Sequence, residues 1–212
     1  MCDIIYIKLN VRSFSQVSEV GYMNVKEQLI LAGIEELEER GIQELSLRRV
    51  ATRCGVSCAA PYKHFKDKQD FILGMIRYIN GKWQDIQNAI MSRHDGDMRR
   101  KLLDVCMGYV RFLVDNPHFH AVIVMLPGNS DPEQVSARHE LSADLKRLVH
   151  DYCVSLKIPE KLERCKLYKV RSLIYGAAMF IDSGQLPDND DTMSMVRESI
   201  SSELNALAVP AQ

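Results

Sequence analysis

The sequence lacks the features that mark membrane-spanning, secreted and disordered proteins. Its 212 residues are 46% hydrophobic and 26% charged at a formal net charge of −1, which excludes wholesale disorder and a uniformly basic coat for nucleic acid. No apolar run approaches the ~18 residues that a membrane helix requires, so we expect no membrane partner. The N-terminal MCDIIYIKLN has neither a basic lead-in nor a small-residue cleavage site, so it is a poor signal peptide.

Cysteines are too few for a disulfide framework, and no catalytic signature stands out. Four of the six cysteines fall inside helix-like patterns, so we interpret them as reduced thiols of a cytoplasmic protein. We find no nucleophile–base pair, no phosphate-binding loop and no paired-carboxylate motif. The sequence therefore predicts a protein that is not an enzyme and that uses no cofactor.

Alternating strand patterns are rare and are confined to DIIYIKLN at the start of the chain. Elsewhere apolar residues recur at helical spacing, so the predicted fold class is all-α. One apolar stripe from Ile72 to Ile90 predicts a long helix that begins near Lys68. The last two helices are predicted at roughly 160–183 and 189–207. Residues 1–23 are expected to form a loosely ordered N-terminal arm.

Charge is distributed unevenly along the first third of the chain. Residues 23–44 contain two basic and six acidic side chains, whereas residues 45–68 contain six basic and one acidic side chain. A local basic segment is the electrostatic footprint expected for a polyanion partner. An ordinary solvated face has the same composition, so charge alone leaves both interpretations open.

Residues 24–68 predict three helices in a helix-turn-helix arrangement. The first helix ends at Gly41, Ser46 caps LRRVATRC, and Gly55 lies in the turn that follows. We expect Ser57 to cap a third helix, CAAPYKHF, in which Pro61 removes one hydrogen bond and causes local distortion. In such motifs the final helix enters the DNA major groove and its first residues reach the base edges.

The side chains of this region suit a DNA surface. Small residues such as Cys58 and Ala59 allow a close approach to the groove, and hydroxyl and guanidinium groups suit phosphates. The predicted DNA contacts are Ser46, Arg48, Arg49, Ser57, Cys58, Ala59, Tyr62, Lys63, His64 and Lys68. Cys54, Cys58 and His64 offer only three of the four ligands of structural zinc, so no metal is predicted. A redox response of Cys58 stays open.

The run from Leu29 to Leu73, LILAGIEELEERGIQELSLRRVATRCGVSCAAPYKHFKDKQDFIL, resembles the DNA-binding domain of the TetR family of transcriptional regulators. The match has no gap and includes E-R-G at the end of the first helix, G-V-S at the turn, and Y-x-H-F-x-x-K. Two positions depart from the family pattern. Cys54 stands where the family usually has alanine, and Glu36 stands where it usually has an apolar residue.

The resemblance implies roles for several of the predicted contacts. Tyr62 and His64 would contact phosphate and groove, while Ser46 and Lys68 would contact phosphate. The positions that vary in the family would tune sequence choice, and here they are Arg48, Cys58, Ala59 and Lys63.

The second half of the chain resembles, more weakly, a subgroup of TetR-like C-terminal domains. The resembling segments are GYVRFLVDNPHFHAVIVM and SLIYGAAMFIDSGQLP. The subgroup often carries Trp-x-x-x-His-Gly where this chain has Arg171, Tyr175 and Gly176, which implies a different ligand. Aromatic and methionine residues at helical spacing are core residues by default, but some could line a pocket. The candidate ligand-binding residues are Tyr109, Phe112, His118, Phe119, Met125, Tyr175 and Met179.

These observations predict a ligand-responsive, DNA-binding transcriptional regulator that acts as a repressor. Residues 24–68 would bind a near-palindromic DNA operator, and residues 69–212 would form a helical ligand-binding and dimerisation domain. The predicted partners are double-stranded DNA, an unidentified small-molecule effector that releases the DNA, and a second copy of the chain. The copies would meet through the last two helices, where Gly176, Ala177 and Ala178 would allow close approach.

Two alternatives stay open at this point. One is an all-α sensor or enzyme with a degenerate DNA-binding head, and the other is an interaction module without a pocket. The basic segment at residues 45–68 favours the regulator over both.

Overall fold

The structure is a computed structural model that describes residues 24–93, 96–124, 132–140 and 142–206. Within these ranges the chain is helical and contains no strand, which confirms the predicted all-α fold class. The helices are α1 (Val25–Glu44), α2 (Leu47–Arg53), α3 (Lys68–Met91), α4 (Met98–Asp115), α5 (Pro117–Val124), α6 (Pro132–Glu140), α7 (Ala143–Ser155), α8 (Glu160–Asp182) and α9 (Asp190–Asn205). A 3₁₀ segment, Pro61–Lys63, lies between α2 and α3.

Some of the predictions fall outside the described residues. These are the N-terminal arm at 1–23, the candidate ligand-binding residue Met125, and the predicted end of the last helix at 207. None of the described helices combines the length and the apolar character needed to cross a membrane.

The chain forms two compact units. The first contains residues 24–75 and 115–124, and the second contains residues 76–114 and 132–206. Helix α3 therefore contributes its first turns to one unit and the remainder to the other. Helix α5 belongs to the first unit, where it packs on α1, although the predicted DNA-binding domain ended at residue 68.

The first unit is built around the apolar face of α1. Asn24 caps this helix, and its side chain accepts a hydrogen bond from the backbone N–H of Glu27 at 2.9 Å. Gly33 lets Phe71 pack against the helix, because a Cβ at this position would lie 2.3 Å from the Phe71 ring. The regular helix ends before Gly41, whose φ of 76° is in the left-handed region, as the sequence predicts.

The predicted third helix, CAAPYKHF, is wrong in its extent. Only Pro61–Lys63 are helical, in the 3₁₀ form, and Pro61 is the first residue of this segment. Pro61 has no N–H to donate to the carbonyl of Ser57, so the N–H of Ala60 donates to that carbonyl instead at 2.9 Å. The resulting i to i+3 pattern is tighter than an α-helix, and it ends where the N–H of Phe65 donates to the carbonyl of Pro61.

The second unit contains one helix that the sequence analysis missed. Helix α6 is short and polar, and among its side chains that the structure describes, Gln134 and Ala137 are the buried ones. Two buried positions one turn apart are too few to produce a helical periodicity that a sequence pattern can reveal. The last two helices lie at the predicted positions and pack against each other.

The C-terminal end of α9 is fixed by side chains from α7 and α8. Lys166 is only 4% exposed, and its ammonium donates hydrogen bonds to the carbonyl oxygens of Glu203 at 2.5 Å and Ala206 at 3.1 Å. The Tyr152 hydroxyl donates to the carbonyl of Leu204 at 3.0 Å. These contacts satisfy carbonyl groups that have no partner within the helix itself.

We predict that Lys166→Met lowers the free energy of unfolding by about 2 kcal/mol, because the carbonyls at the end of α9 lose their donor. Lys169→Met is the matched control, since the Lys169 side chain is 56% exposed and its ammonium pairs with the Glu203 carboxylate at 3.3 Å. The control should lose less than about 1 kcal/mol. Urea unfolding followed by circular dichroism measures both values, and equal losses would contradict this role of Lys166.

Candidate functional site

The candidate functional site begins with residues 57–64, which we call the reading segment. Pro61 is buried within it, and Phe65, which follows it, is 3% exposed and packs edge-on against Phe71 with ring centroids 4.8 Å apart. The two anchors are four residues apart, so they hold one side of the segment against the first unit. The residues of the other side are exposed to solvent: Ser57, Cys58, Ala59, Tyr62, Lys63 and His64.

The chain that follows the reading segment is fixed by two aspartates. The Asp67 carboxylate accepts a hydrogen bond from the N–H of Asp70 at 2.9 Å. The Asp70 carboxylate accepts one from the N–H of Lys66 at 2.8 Å. Together they cap the start of α3 and limit how far the exposed residues before it can shift.

The basic side chains of residues 45–68 differ in whether they already form ion pairs or hydrogen bonds within the protein. Arg48 is exposed and forms no ion pair with a described side chain, and the Ser46 hydroxyl makes no capping hydrogen bond. Arg49 is already hydrogen-bonded within the protein: its Nε–H donates to the Glu36 carboxylate and its Nη2 donates to the carbonyl of Glu44. Lys68 donates to the carbonyl of Gln43 at 3.3 Å. Partial burial, with the nearby charge of Arg49, lowers the pKa of Lys68.

Arg53 is also paired with the acidic residues of α1. Its guanidinium lies 3.2 Å from the Glu35 carboxylate and 2.6 Å from that of Glu39, and its Nη2 lies 3.6 Å from Glu36. The hydrogen bonds to Glu39 and then to Glu35 raise the pKa of Arg53, and the same bond to Arg53 lowers the pKa of Glu39. The charge imbalance in the sequence is therefore partly neutralised by contacts between α1 and α2.

The two cysteines of this region have different environments. The Cys54 thiol is half-buried and donates to the carbonyl of Gln28, with sulfur and oxygen 3.5 Å apart. Burial is the main cause that raises the pKa of Cys54. Cys58 is exposed on the reading segment, as the sequence predicts.

In the second unit, three of the predicted ligand-binding residues lie together. Tyr109 and Phe112 are each 2% exposed and pack around Trp83, with ring centroids 4.6 and 5.5 Å from it. The hydroxyl oxygens of Tyr109 and Tyr175 are 3.3 Å apart, and the guanidinium of Arg171 lies 5.9 Å from the Tyr175 ring. Burial, and then the neighbouring Tyr175, raise the pKa of Tyr109 well above its usual range.

The other predicted ligand-binding residues lie elsewhere. His118 and Phe119 are in α5 and so belong to the first unit, where the His118 imidazole contacts the Glu38 carboxylate and Phe119 is buried. Met179 is 57% exposed in α8, so its side chain is not enclosed within the protomer.

Two buried polar residues of α3 were missed by the sequence analysis. Asn80 is 5% exposed and Gln87 is 3% exposed, and they flank Trp83 on one side of the helix. The Asn80 amide donates to the carbonyl of Ala137 at 2.6 Å. The carbonyl oxygens of both side chains have no hydrogen-bond partner within the described residues. Polar residues in register with the apolar stripe of α3 were the signal that could have identified them.

Helices α8 and α9 expose large apolar side chains. Tyr168 is 73%, Met179 57% and Phe180 45% exposed on α8, and Met195 is 47% exposed on α9. A Cβ on Gly176 would meet no atom within 4 Å, so this position is open.

The prediction that Ala177 and Ala178 allow close approach between two protomers is wrong, because neither side chain is exposed on the surface of its own protomer. Ala177 is 7% exposed and Ala178 is 0% exposed, because helical spacing turns both toward the interior of their own protomer.

Sequence profiles of one family match both halves of the chain. The profile described as bacterial regulatory proteins, tetR family, matches residues 29–75. The profile described as tetracyclin repressor-like, C-terminal domain, matches residues 102–202. The chain therefore belongs to the TetR family of helix-turn-helix transcriptional regulators, which confirms the resemblance seen in the sequence. This is a family of DNA-binding proteins rather than of enzymes.

Individual relatives are distant. The uncharacterized HTH-type transcriptional regulator YerO of Bacillus subtilis (strain 168) is 26% identical over 108 residues, which are 51% of this chain but only 37% of that protein. A TetR family transcription regulator from Marinobacter aquaeolei VT8 is similar in structure, with a TM-score of 0.70 and 18% identity over 84% of this chain and 94% of that chain. The regulator FadR from Bacillus subtilis, solved in complex with stearoyl-CoA, has a TM-score of 0.66 and 17% identity over 85% and 98% of the two chains. At these identities, structural similarity establishes the fold alone.

We predict that Cys58 in the native protein reacts with N-ethylmaleimide roughly tenfold or more faster than Cys106 at pH 8. The thiolate is the reactive form, and burial raises the pKa of Cys106 to about 12, whereas Cys58 is exposed. Mass spectrometry of labelled peptides gives both rates. Cys165, which is exposed on α8, is the control and should react as Cys58 does. Equal native rates for Cys58 and Cys106 would contradict the described exposure.

Proposed function

We propose that the protein is a ligand-responsive repressor that binds a near-palindromic DNA operator as a homodimer and is released by a small molecule. The observation that carries this proposal is the reading segment. Buried Pro61 and Phe65 anchor it, while the side chains of Ser57, Cys58, Ala59, Tyr62, Lys63 and His64 are exposed. An anchored backbone with exposed small and hydrogen-bonding side chains is the arrangement that reading a DNA groove requires.

The exposed side chains of the reading segment have the chemistry that duplex recognition requires. Cys58 and Ala59 are small enough to let the backbone approach base edges, and Lys63 can donate to guanine acceptors in the major groove. Tyr62 and His64 supply further donors for groove and phosphate. Ser46 and Arg48 are available for phosphates, and Lys68 adds a weaker candidate because it already contacts Gln43.

We predict that Lys63→Ala lowers affinity for the operator roughly tenfold and reduces the preference for operator over scrambled DNA, since a lost base contact costs ~1–3 kcal/mol. Fluorescence anisotropy with the DNA upstream of the protein's own gene, and with a scrambled duplex, measures both quantities. Lys146→Ala is the control, because Lys146 is exposed on α7 and has no ion pair within the described residues. The proposal is wrong about this contact if the two variants bind alike.

The exposed apolar surface of α8 and α9 supports the proposed homodimer. Tyr168, Met179, Phe180 and Met195 would be buried if two copies packed these helices together, and the open position at Gly176 would allow close contact. A twofold dimer carries two reading segments, so it favours two half-sites about one helical turn of DNA apart.

We predict that Met179→Glu converts the dimer to a monomer, because a charge would be buried without a partner at the interface. Val154→Glu introduces the same charge at an equally exposed apolar site on α7, where Val154 is 59% and Met179 57% exposed. This control should stay dimeric. Sedimentation velocity distinguishes the species, and a monomeric unmodified protein, or a dimeric Met179→Glu variant, would refute this interface.

The second unit supports the proposed ligand response. It holds an aromatic cluster of Trp83, Tyr109 and Phe112, and the buried carbonyl oxygens of Asn80 and Gln87 have no described hydrogen-bond partner. Free buried acceptors favour a ligand that offers N–H or O–H groups. Helix α3 carries these residues and also contributes to the first unit, so a ligand that prefers one conformation of α3 would shift DNA affinity.

A further inference from the structure

A buried carboxylate lies between α1 and α2, among three guanidinium groups. Glu36 is only 1% exposed, although helix surfaces normally keep glutamate in solvent. Arg49 Nε donates to its carboxylate, and Arg53 Nη2 and Arg40 Nε each lie 3.6 Å from a Glu36 oxygen. A buried carboxylate without such partners is strongly disfavoured, so the burial of Glu36 depends on these contacts.

Arg49 is fixed at both ends of its guanidinium group. Its Nη2 donates to the carbonyl of Glu44 while its Nε donates to Glu36. The side chain is still 44% exposed, and it is adjacent in α2 to Arg48, which has no ion pair within the described residues. Arg49 therefore stands beside a proposed phosphate contact, yet its hydrogen-bonding groups are directed into the protein.

We infer that Glu36 is a positioning residue that withdraws Arg49 from DNA phosphates and so limits the affinity for DNA of arbitrary sequence. The inference rests on the proposed function. Contacts to phosphates carry no sequence information, and they supply nearly all non-specific affinity. One fewer phosphate contact on each head weakens binding to every duplex, while the contacts of the reading segment to base edges keep their full effect. Because such a contact forms on operator and scrambled DNA alike, Glu36 lowers the affinity for both and leaves the ratio between them unchanged.

The direct test removes the Glu36 charge and measures how binding depends on salt. Each added phosphate contact steepens the slope of log affinity against log salt by about 0.9. Glu36→Gln frees Arg49 on both heads of a dimer, so its affinity for a scrambled duplex should fall roughly tenfold more than that of the unmodified protein between 50 and 200 mM salt. At low salt it should bind operator and scrambled DNA more tightly than the unmodified protein does, by a similar factor, because the added phosphate contact carries no sequence information.

Glu44→Gln is the matched control for net charge. It removes the same charge from the last residue of α1, and the Glu44 side chain is exposed and forms no ion pair within the described residues. Its salt slope should stay close to that of the unmodified protein. The double variant Glu36→Gln/Arg49→Ala should return to the original slope, because the freed guanidinium is then gone.

The single variant Arg49→Ala tests the inference independently, in case the Glu36→Gln variant fails to fold. Since Arg49 makes no phosphate contact in this account, Arg49→Ala should leave the salt slope unchanged. A slope that becomes shallower in Arg49→Ala, or a Glu36→Gln slope equal to that of Glu44→Gln, would overturn the inference. If the unmodified protein shows no salt-dependent DNA binding, the proposed function itself fails, which is a separate outcome.

Discussion

The ion-pair network around Glu36 is the interaction on which the proposed DNA-binding surface depends. It joins α1 to α2 through Arg49 and Arg53, and α2 leads within a few residues to the reading segment. Pro61 and Phe65 then fix the other end of that segment to the apolar core. The exposed side chains of residues 57–64 are thus held between a polar attachment and an apolar one. This preorganisation matters because a groove-reading segment that is anchored at both ends loses less conformational entropy on binding than a free one.

The same network divides the basic side chains of residues 45–68 into ones that are paired within the described residues and ones that are not. Acidic residues of α1 neutralise Arg49 and Arg53, while Arg48, Lys63 and Lys66 stay exposed. The basic side chains that stay exposed in residues 45–68 therefore include those at proposed DNA contacts. In the second unit, buried polar side chains lie at the end of a helix and beside the aromatic cluster. Lys166 satisfies the end of α9, whereas Asn80 and Gln87 leave acceptors without a described partner beside the aromatic cluster.

Much of the fold could be predicted from the sequence because helical periodicity and glycine position are local signals. The break at Gly41, the turn at Gly55, the start of α3 near Lys68 and the places of α8 and α9 all follow from them. The short 3₁₀ form of the third helix could not be predicted in full. It depends on which N–H donates to the Ser57 carbonyl in place of the N–H that Pro61 lacks. The pairing of Glu36 and the membership of α5 in the first unit are tertiary contacts, which no local pattern encodes. Only some of the candidate ligand-binding residues lie together in the structure. Aromatic residues at helical spacing indicate burial, but the spacing does not show in which compact unit they are buried.

The measurement that tests the central claim most directly is selection of bound duplexes from a random pool, followed by sequencing. The account predicts enrichment of a near-palindromic site with two half-sites about one helical turn apart, because a dimer presents two reading segments. Mutations in either half-site should each weaken binding. Recovery of unenriched sequences, or of a single half-site without symmetry, would contradict the proposal that this protein recognises an operator as a dimer.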